Sequence, residues 1–409
     1  MRKVRIAILL LFAVTLASCF KDADFDPVNG QSAGHKQPGR LPSEETRRVM
    51  IMYSAGFNSL SSPLSTDLEE LEEGFVPLAQ SRGDNILLVF SRLNYNGYGN
   101  PVAPVLYRLY KDREGAVVKD TLLRWKDQNQ ACDPAILNEV MTYAREKYPA
   151  RGYGLVFSSH GSGWLPANNS SKASVKSVGQ DADTGRVLEM ELHDFVRALP
   201  YKLDYVIFDA CFMGCVEVAW ALREKAGLVG FSPTEIMSDG FNYLTLAERL
   251  IGSSESDVLG VCHDFFAQYT SPEQKYPYAT ITLVDPGAMQ PLADVSKTLF
   301  ERYRTAIAGL TSTDVQRYYR KGQNVRNEHL FDLRDMVEKA GASASEMEQF
   351  DAALKACVLY EAHTKMFMTS LPLIHVCGLS VYLPSSGDGA LDTFYKTYVG
   401  WNNETKLIP

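Results

Sequence analysis

The stretch Gly154-Leu155-Val156-Phe157-Ser158-Ser159-His160-Gly161 is an apolar run of strand length that stops abruptly at a histidine. A second run, Tyr205-Val206-Ile207-Phe208-Asp209-Ala210-Cys211, stops at a cysteine roughly 50 residues later. Catalytic groups of open parallel sheets collect at the carboxyl ends of the strands. We therefore expect His160 and Cys211 to be spatial neighbours, which is the arrangement that a cysteine nucleophile and its base require.

The rest of the N-terminal half alternates between strand and helix patterns. Further apolar runs predict strands at 49–53, 86–90 and 228–231. Residues 105–123 alternate like an antiparallel hairpin, and Asp133-Pro134 is typical of a helix start, with an N-cap and a first-turn proline. Near-continuous apolar strands suit a parallel sheet covered on both faces. The sequence thus predicts an α/β sandwich, with one of its helices beginning near Cys211.

The pattern is less regular after residue 270. Strands are predicted at 280–284 and 378–383, and long helices at 285–308 and 343–365. Periodicity leaves open whether these elements extend the first sheet or build a second unit. We expect a catalytic domain over 46–270 and a C-terminal region, 271–409, that completes it or packs on it.

The N-terminus has the features of an export signal. Basic residues precede an apolar stretch, Ile6 to Leu16, which is too short to span a bilayer and ends in small residues before Cys19. This ending resembles a bacterial lipobox, in which Cys19 would be acylated; an ordinary signal peptide cut nearby is the alternative. Residues 20–45 are polar and predict a tether. We expect a lipid anchor in the bacterial cell envelope, at the outer membrane, facing either the periplasm or the cell surface.

Composition and charge exclude several other classes of function. The net charge of −8 argues against nucleic-acid binding. Six scattered cysteines besides Cys19 favour buried thiols plus one functional thiol over a disulfide framework. Cys215, one helical turn after Cys211, lacks companion ligands, so no metal site is predicted. Among the other histidines, His193 and His263 are expected to be structural or solvated, and His375 to be buried.

A thiol attacks a carbonyl carbon efficiently only as a thiolate. A helix starting near Cys211 would lower the pKa of its thiol and present the backbone N–H of Cys211 to an oxyanion. The turn Gly161-Ser162-Gly163 lets the backbone approach a substrate closely, and Ser162 or Gly161 could supply a second N–H. These expectations assign Gly161 and Cys211 to an oxyanion hole.

The segments His160-Gly161-Ser162-Gly163-Trp164 and 209–219 closely resemble the clostripain family of cysteine peptidases, within the caspase-like group. Weaker landmarks extend the resemblance over nearly all of residues 47–384; they are 52–56, 58–60, 181–199, 331–333 and 378–384. One departure is Phe57-Asn58, where the family usually has an Asp-Asn pair. The resemblance implies a caspase-like three-layer αβα sandwich with a mostly parallel central sheet and a C-terminal extension.

The resemblance also implies an activity, namely cleavage after Arg or Lys by a Cys211–His160 dyad through an acyl-enzyme. Asp209 would select the basic residue; a helix cap is the alternative role for this side chain. The loop 166–178 would be the site of self-processing, after Lys172 or Lys176, unless it is a surface loop without a regulatory role. No cofactor is expected, although family association leaves calcium open.

Two other functions remain open at this point. The chain could be a catalytically silent, anchored surface protein that retains the fold and binds peptides or glycans, because fold alone does not fix function. The same dyad could also transfer the acyl group to an amine rather than to water. The leading hypothesis is an exported, lipid-anchored endopeptidase that acts on proteins or peptides as a monomer.

Overall fold

Nine strands build the central sheet of the protein in a computed structural model, which describes residues 46–80, 84–94, 102–167, 177–183, 186–322 and 328–409. In chain order these strands are β1 (Arg48–Gly56), β2 (Ile86–Leu93), β3 (Val105–Lys111), β4 (Val117–Arg124), β5 (Gly152–Ser158), β8 (Leu203–Asp209), β9 (Ala226–Phe231), β10 (Thr280–Val284) and β12 (Val358–His363). The predicted signal and tether, with Cys19, lie outside the described residues.

The order across the sheet is β12-β10-β9-β8-β5-β1-β2-β3-β4. The strands from β9 to β2 run parallel to one another. Antiparallel neighbours continue the sheet on each side, β3 and β4 at one edge and β10 and β12 at the other. The predicted hairpin is therefore confirmed as β3 and β4. The strands β10 and β12 come from the C-terminal region and lie in the same sheet as the catalytic strands.

Helices cover both faces of this sheet, as the apolar strands require. They are α1 (Ser61–Glu73), α2 (Pro134–Lys147), α3 (Leu192–Ala198), α4 (Val216–Ala221), α5 (Tyr243–Ile251), α6 (Val258–Thr270), α7 (Gln290–Arg302), α8 (Arg304–Gly309), α9 (Leu333–Lys339), α10 (Ala344–Cys357), α11 (Gly389–Tyr398) and α12 (Gly400–Thr405). Along β1, Ile51 and Tyr53 join one core while Met50 and Met52 join the other, because successive strand residues point to opposite faces. The predicted α/β sandwich is confirmed.

Three two-stranded sheets complete the fold within the described ranges. They pair β6 (Val178–Asp183) with β7 (Arg186–Met190), β11 (Leu330–Asp332) with β15 (Ser380–Tyr382), and β13 (Met366–Phe367) with β14 (Leu371–Pro372). All described residues belong to one compact unit. Within that described part, no helix has both the length and the apolar character needed to cross a bilayer.

Several predicted elements are wrong in extent. The helix predicted at 343–365 begins with a capping box of Ser343 and Glu346 but ends at Cys357, where the chain enters β12 and pairs with β10. The helix predicted at 285–308 is divided into a 3₁₀ turn, α7 and α8. The predicted strand 378–383 is shorter and pairs with β11. At Cys357, the pairing of β12 with β10 overrides local helix preference.

Candidate active site

The ends of β5 and β8 bring the two predicted catalytic segments together. Ser158 is opposite Asp209 in the parallel register, and the N–H of Ser159 donates to the carbonyl of Asp209 at 3.2 Å. Beyond these ends the chains stay in contact, since a Cβ on Gly161 would lie only 2.7 Å from the carbonyl oxygen of Cys211. His160 and Cys211 therefore extend from adjacent strand ends at one edge of the sheet, as the sequence predicted.

His160 is buried, and its imidazole has a partner that the sequence did not reveal. The Nε2 atom is 2.9 Å from the hydroxyl oxygen of Ser59, in the turn after β1. The side-chain amide nitrogen Nδ2 of the preceding residue, Asn58, donates to the carbonyl oxygens of Ala55 at 3.1 Å and Gln180 at 2.7 Å. These two hydrogen bonds hold the turn in place. If Nε2 carries the proton and donates it to Ser59, the lone pair that a general base needs lies on Nδ1.

Cys211 is half-buried, and it does not lie at a helix N-terminus. Helix α4 begins at Val216, with Cys215 as its N-cap residue. The expected helix start fails because Phe212 is left-handed, with φ of 61°, so the backbone cannot enter a right-handed helix there. The Cys211 sulfur instead accepts the N–H of Ile236 at 3.4 Å.

The turn after Cys211 is held in this strained conformation by the segment that follows β9. The N–H of Phe212 donates to the carbonyl of Thr234, and that of Gly214 to the carbonyl of Ser232, both at 2.8 Å. A left-handed non-glycine residue costs of the order of 1–3 kcal/mol and persists only where its surroundings enforce it. Such strain is common at functional sites.

Arg320 is the cation near the nucleophile Cys211, where the sequence predicted the N-terminus of a helix. Arg320 binds Glu235 through two hydrogen bonds, at 2.7 and 3.0 Å. These bonds are the main cause of the raised pKa of Arg320, and the negative charge of a Cys211 thiolate adds to it. The guanidinium is thus within electrostatic range of Cys211, although Glu235 already matches much of its charge. No sequence pattern pointed to Arg320.

The backbones of Gly161 and Cys211, the two predicted oxyanion donors, are in contact. Gly161 forms a bridge with Val178 through two hydrogen bonds, Ser162 N–H to Ser177 O at 3.1 Å and Gly179 N–H to His160 O at 2.9 Å. Neither bond uses the N–H of Gly161. With Gly161 packed on the backbone of Cys211, the assignment of these two N–H groups to an oxyanion hole stays a prediction.

Asp209 lies beneath the dyad and is 7% exposed. Its Oδ2 accepts the hydroxyl of Tyr243 at 2.6 Å and that of Ser158 at 3.3 Å. Burial raises the pKa of Asp209 to about 6, and these hydrogen bonds oppose the rise. The alternative role of helix cap is wrong, because α4 begins several residues further on. The role of selecting a basic substrate residue remains open to Asp209.

The other predicted residues lie away from this chemistry. Cys215 is buried, as expected, and the six described cysteines are free thiols. His193 stacks on Tyr398, and His263 packs edge-on against Tyr360. The expectation that His375 is buried is wrong: its side chain is 52% exposed, since the run around it crosses the surface after β14 rather than entering the core. Lys172 and Lys176 lie outside the described residues.

Two findings bear on the departure at Phe57 and on calcium. The Phe57 ring packs against the buried guanidinium of Arg92, 4.3 Å from the ring centroid, so an apolar residue is accommodated there.

Calcium takes six to eight oxygen ligands. Within the described ranges, no group of three or more His, Cys, Asp or Glu side chains is placed to hold a metal ion. Calcium also binds backbone carbonyls, amide oxygens and water, so this finding does not test the expectation, and calcium stays open by family resemblance only.

Comparisons with known proteins agree with this geometry. The model of the clostripain family matches residues 52–406. The chain is 24% identical to clostripain of Hathewaya histolytica over 271 residues, which are 60% of this chain and 49% of that protein, so it spans about half the length of this relative. An inactive zymogen C11 protease from Parabacteroides distasonis is similar in structure, with a TM-score of 0.74 and 26% identity over 90% of this chain and 99% of that one.

A second solved structure contains a ligand. A secreted C11 cysteine protease from Bacteroides thetaiotaomicron, in complex with an irreversible peptide inhibitor, has a TM-score of 0.71 and 26% identity over 88% of this chain and 99% of that one. The family match extends over most of the sequence and includes both strand-end motifs. The chain therefore belongs to the clostripain family of cysteine endopeptidases.

Proposed function

We propose that this protein hydrolyses peptide bonds that follow Arg or Lys, with Cys211 as the nucleophile and His160 as the base. One observation carries the proposal. The register of β5 and β8 brings the two strand ends together, and a buried carboxylate, Asp209, lies two residues before the nucleophile. A carboxylate there would pair with the cationic end of a basic side chain.

The reaction follows from the roles of these groups. His160 removes the proton of the Cys211 thiol, and the thiolate attacks the carbonyl carbon of the substrate. The negative charge that develops on the carbonyl oxygen would be stabilised by the N–H groups of Gly161 and Cys211. His160 then gives its proton to the leaving amine, which departs and leaves an acyl-enzyme. Water, deprotonated by His160, attacks the thioester and releases the acid and the free thiol.

The setting of the enzyme is part of the proposal. We infer an exported monomer attached to the bacterial outer membrane through a lipid on Cys19, and self-activation by cleavage after Lys172 or Lys176. The similar protease from Bacteroides thetaiotaomicron is described as secreted and the one from Parabacteroides distasonis as an inactive zymogen, which supports export and activation by processing. Mass spectrometry of the purified protein beside its Cys211→Ala variant tests processing; an intact wild-type chain after long incubation counts against it.

Fluorogenic peptides ending in Arg, Lys, Asp or Leu test the activity, with and without calcium. We expect cleavage after Arg and Lys only, and none by Cys211→Ala. A matched control is Cys262→Ala, which removes a buried thiol from α6 and should keep full activity. Added amine would reveal acyl transfer as a second product. Failure to cleave any peptide, with the 166–178 loop intact or cut, would favour the silent peptide- or glycan-binding protein instead.

Asp209→Asn separates specificity from catalysis. Loss of a charge-assisted pairing lowers kcat/KM for the Arg peptide roughly 10- to 100-fold, while the rate of Cys211 alkylation by iodoacetamide is expected to stay within about twofold. An equal loss of both rates would assign Asp209 to the support of the nucleophile.

A further inference from the structure

Ile236, in the segment after β9, contacts the sulfur of Cys211 with both of its backbone polar groups. Its N–H donates to Cys211 Sγ at 3.4 Å, and its carbonyl oxygen lies 3.8 Å from the same sulfur, where it can accept the proton of the thiol. An N–H donor favours the thiolate, whereas a carbonyl acceptor favours the protonated thiol. The position of Ile236 relative to the sulfur therefore influences which form is favoured.

This segment is attached to its surroundings on both sides of Ile236. Before it, the carbonyl of Thr234 accepts the N–H of Phe212 at 2.8 Å. After it, the carbonyl of Met237 accepts the N–H of Gly240 at 3.0 Å. These two contacts place the ends of the segment, but neither of them involves the N–H of Ile236.

Glu235, the residue just before Ile236, is held by Arg320. The guanidinium donates from Nε and Nη2 to the two carboxylate oxygens, at 2.7 and 3.0 Å, and both side chains are largely shielded from solvent. Such a two-pronged pair fixes orientation as well as distance. The N–H of Ile236 belongs to the peptide bond that follows Glu235, so the ion pair acts directly on the unit that carries the donor.

Arg320 itself comes from a firmly held part of the C-terminal region. It lies in the chain between α8 and β11, shortly after Tyr318, which is buried. The Tyr318 hydroxyl donates to Asp332 at 2.7 Å, and the Tyr318 N–H donates to the carbonyl of Leu330 at 3.1 Å. The ion pair therefore attaches the segment beside Cys211 to a fixed support.

We propose that Arg320 is a positioning residue, which acts through Glu235 to keep the N–H of Ile236 directed at the sulfur of Cys211. This inference rests on the proposed role of Cys211 as the nucleophile. A hydrogen bond to the sulfur gains strength when the thiol loses its proton, so the aligned N–H stabilises the thiolate that attacks the substrate. Without the ion pair, the peptide is free to rotate and the thiolate loses this donor.

A direct effect of charge is the alternative, because the negative thiolate contributes to the raised pKa of Arg320. Glu235 separates the two explanations. If the charge of Arg320 acted alone, removal of Glu235 would leave that charge unopposed and would favour the thiolate further. If the ion pair positions Ile236, removal of Glu235 disfavours the thiolate. Salt adds a second distinction, since it screens the attraction between partly exposed charges but does not move a peptide.

The test follows alkylation of Cys211 by iodoacetamide as a function of pH, with mass spectrometry identifying the modified residue. In Arg320→Met, in Glu235→Ala and in the double variant, which all break the same unit, we expect the midpoint of the profile to rise by about one pH unit. Alkylation below the midpoint is then about tenfold slower than in the wild type, and the shift persists in about 1 M KCl. An unchanged or lower midpoint in Glu235→Ala, or a shift that salt abolishes, would overturn the proposal.

Two further variants complete the comparison. Arg320→Lys retains the positive charge without the two-pronged geometry, and we expect it to show most of the shift. Should Arg320→Met not fold, Arg320→Lys and Glu235→Ala decide the outcome by the same criteria. Arg334→Met is the matched control, because Arg334 of α9 binds Asp351 of α10 through two bonds of the same lengths, 2.7 and 3.0 Å. Its profile should coincide with that of the wild type, and an equal shift there would overturn the proposal.

Peptide cleavage is measured separately, with the peptide ending in Arg and across the same pH range. We expect kcat/KM of Arg320→Met to fall about tenfold on the acidic side and to approach the wild-type value at alkaline pH. If the wild type cleaves no peptide but the alkylation midpoints rise as expected, cleavage fails and the positioning role stands. If the wild type cleaves after Arg and neither variant shifts the alkylation midpoint, the positioning role fails.

Discussion

Asp181 and Asp67 are two buried carboxylates with very different surroundings. Asp181 is fully buried in β6, forms an ion pair with Arg92 at 2.9 Å, and accepts the backbone N–H groups of Ala131 and Cys132. Burial raises its pKa only to about 6, because these partners favour the charged form. Asp67 is 3% exposed, and its Oδ2 atom has no hydrogen-bond partner among the described residues. Burial, and then the charge of Asp209, raise its pKa to about 9.

The difference is between a buried carboxylate that has its partners and one that lacks them. The Arg92–Asp181 pair ties β2 to β6, and Gln180 of β6 in turn contacts Asn58 and Ser159 beside the dyad. Such a matched ion pair holds β6, and with it the residues beside the dyad, in a defined position. A buried carboxylate without such partners reduces stability, because its charged form loses hydration that nothing replaces.

The largest expected effect is on the matched pair. Arg92→Met leaves Asp181 buried without its cation, and we expect a loss of about 3–5 kcal/mol in the free energy of unfolding, measured by urea denaturation. Replacing both members, as in Arg92→Met with Asp181→Leu, should restore much of this. Arg302→Met is the matched control, since Arg302 is 58% exposed in its pair with Glu346 and should cost less than about 1 kcal/mol. A loss for Arg92→Met no larger than this control's would contradict the assignment.

Unlike Arg92→Met, the variant Asp67→Asn is expected to increase the free energy of unfolding. The pKa of Asp67 in the folded state, about 9, lies above its unfolded value of 3.8, so the folded protein binds more protons between these pH values. The stability of the wild type therefore falls through this group as pH rises over that window, and the variant lacks this slope. We expect Asp67→Asn to be more stable by about 1–3 kcal/mol at pH 8, and less so at pH 5.

Urea unfolding at the two pH values measures this difference, with Glu69→Gln as the control on the exposed face of α1. The other buried carboxyls with raised pKa values are present in both proteins and largely cancel in the comparison. A destabilised Asp67→Asn protein at pH 8 would show that Asp67 has a stabilising partner, and would remove the contrast with Asp181.

The smallest expected effect is at Ser59, whose hydroxyl contacts His160. Removing one hydrogen bond, worth about 1 kcal/mol, lowers kcat roughly 5- to 10-fold in Ser59→Ala with little change in KM. If Nε2 donates to Ser59, the bond favours that tautomer of the imidazole, and the acidic limb of the pH–rate profile should shift as well. Ser59→Thr keeps a hydroxyl and should retain activity. An unchanged rate and pH profile in Ser59→Ala would exclude a positioning role.

Sequence reasoning reached the strands and their ends because these depend on local pattern. The apolar runs before His160 and Cys211 are strands β5 and β8, and the N-cap at Asp133 begins α2 as predicted. Because both runs end at the carboxyl edge of a parallel sheet, the juxtaposition of the two motifs could be expected.

The features of the site that the sequence did not reveal depend on contacts between residues distant in sequence. The left-handed Phe212, which displaces the start of α4, is held by carbonyls from the segment after β9. Arg320 and Ser59 reach the dyad from elements far along the chain. The orphaned carboxylate of Asp67 becomes visible only when its surroundings are known.

Labelling with peptide chloromethyl ketones tests the central claim most directly. A thiolate displaces the chloride and remains covalently attached, so mass spectrometry of proteolytic fragments identifies the nucleophile. We predict rapid modification of Cys211 by the reagent ending in Arg, and modification roughly 10- to 100-fold slower by the reagent ending in citrulline. Label on another cysteine, or equal rates with the two reagents, would contradict a Cys211 peptidase selective for basic residues.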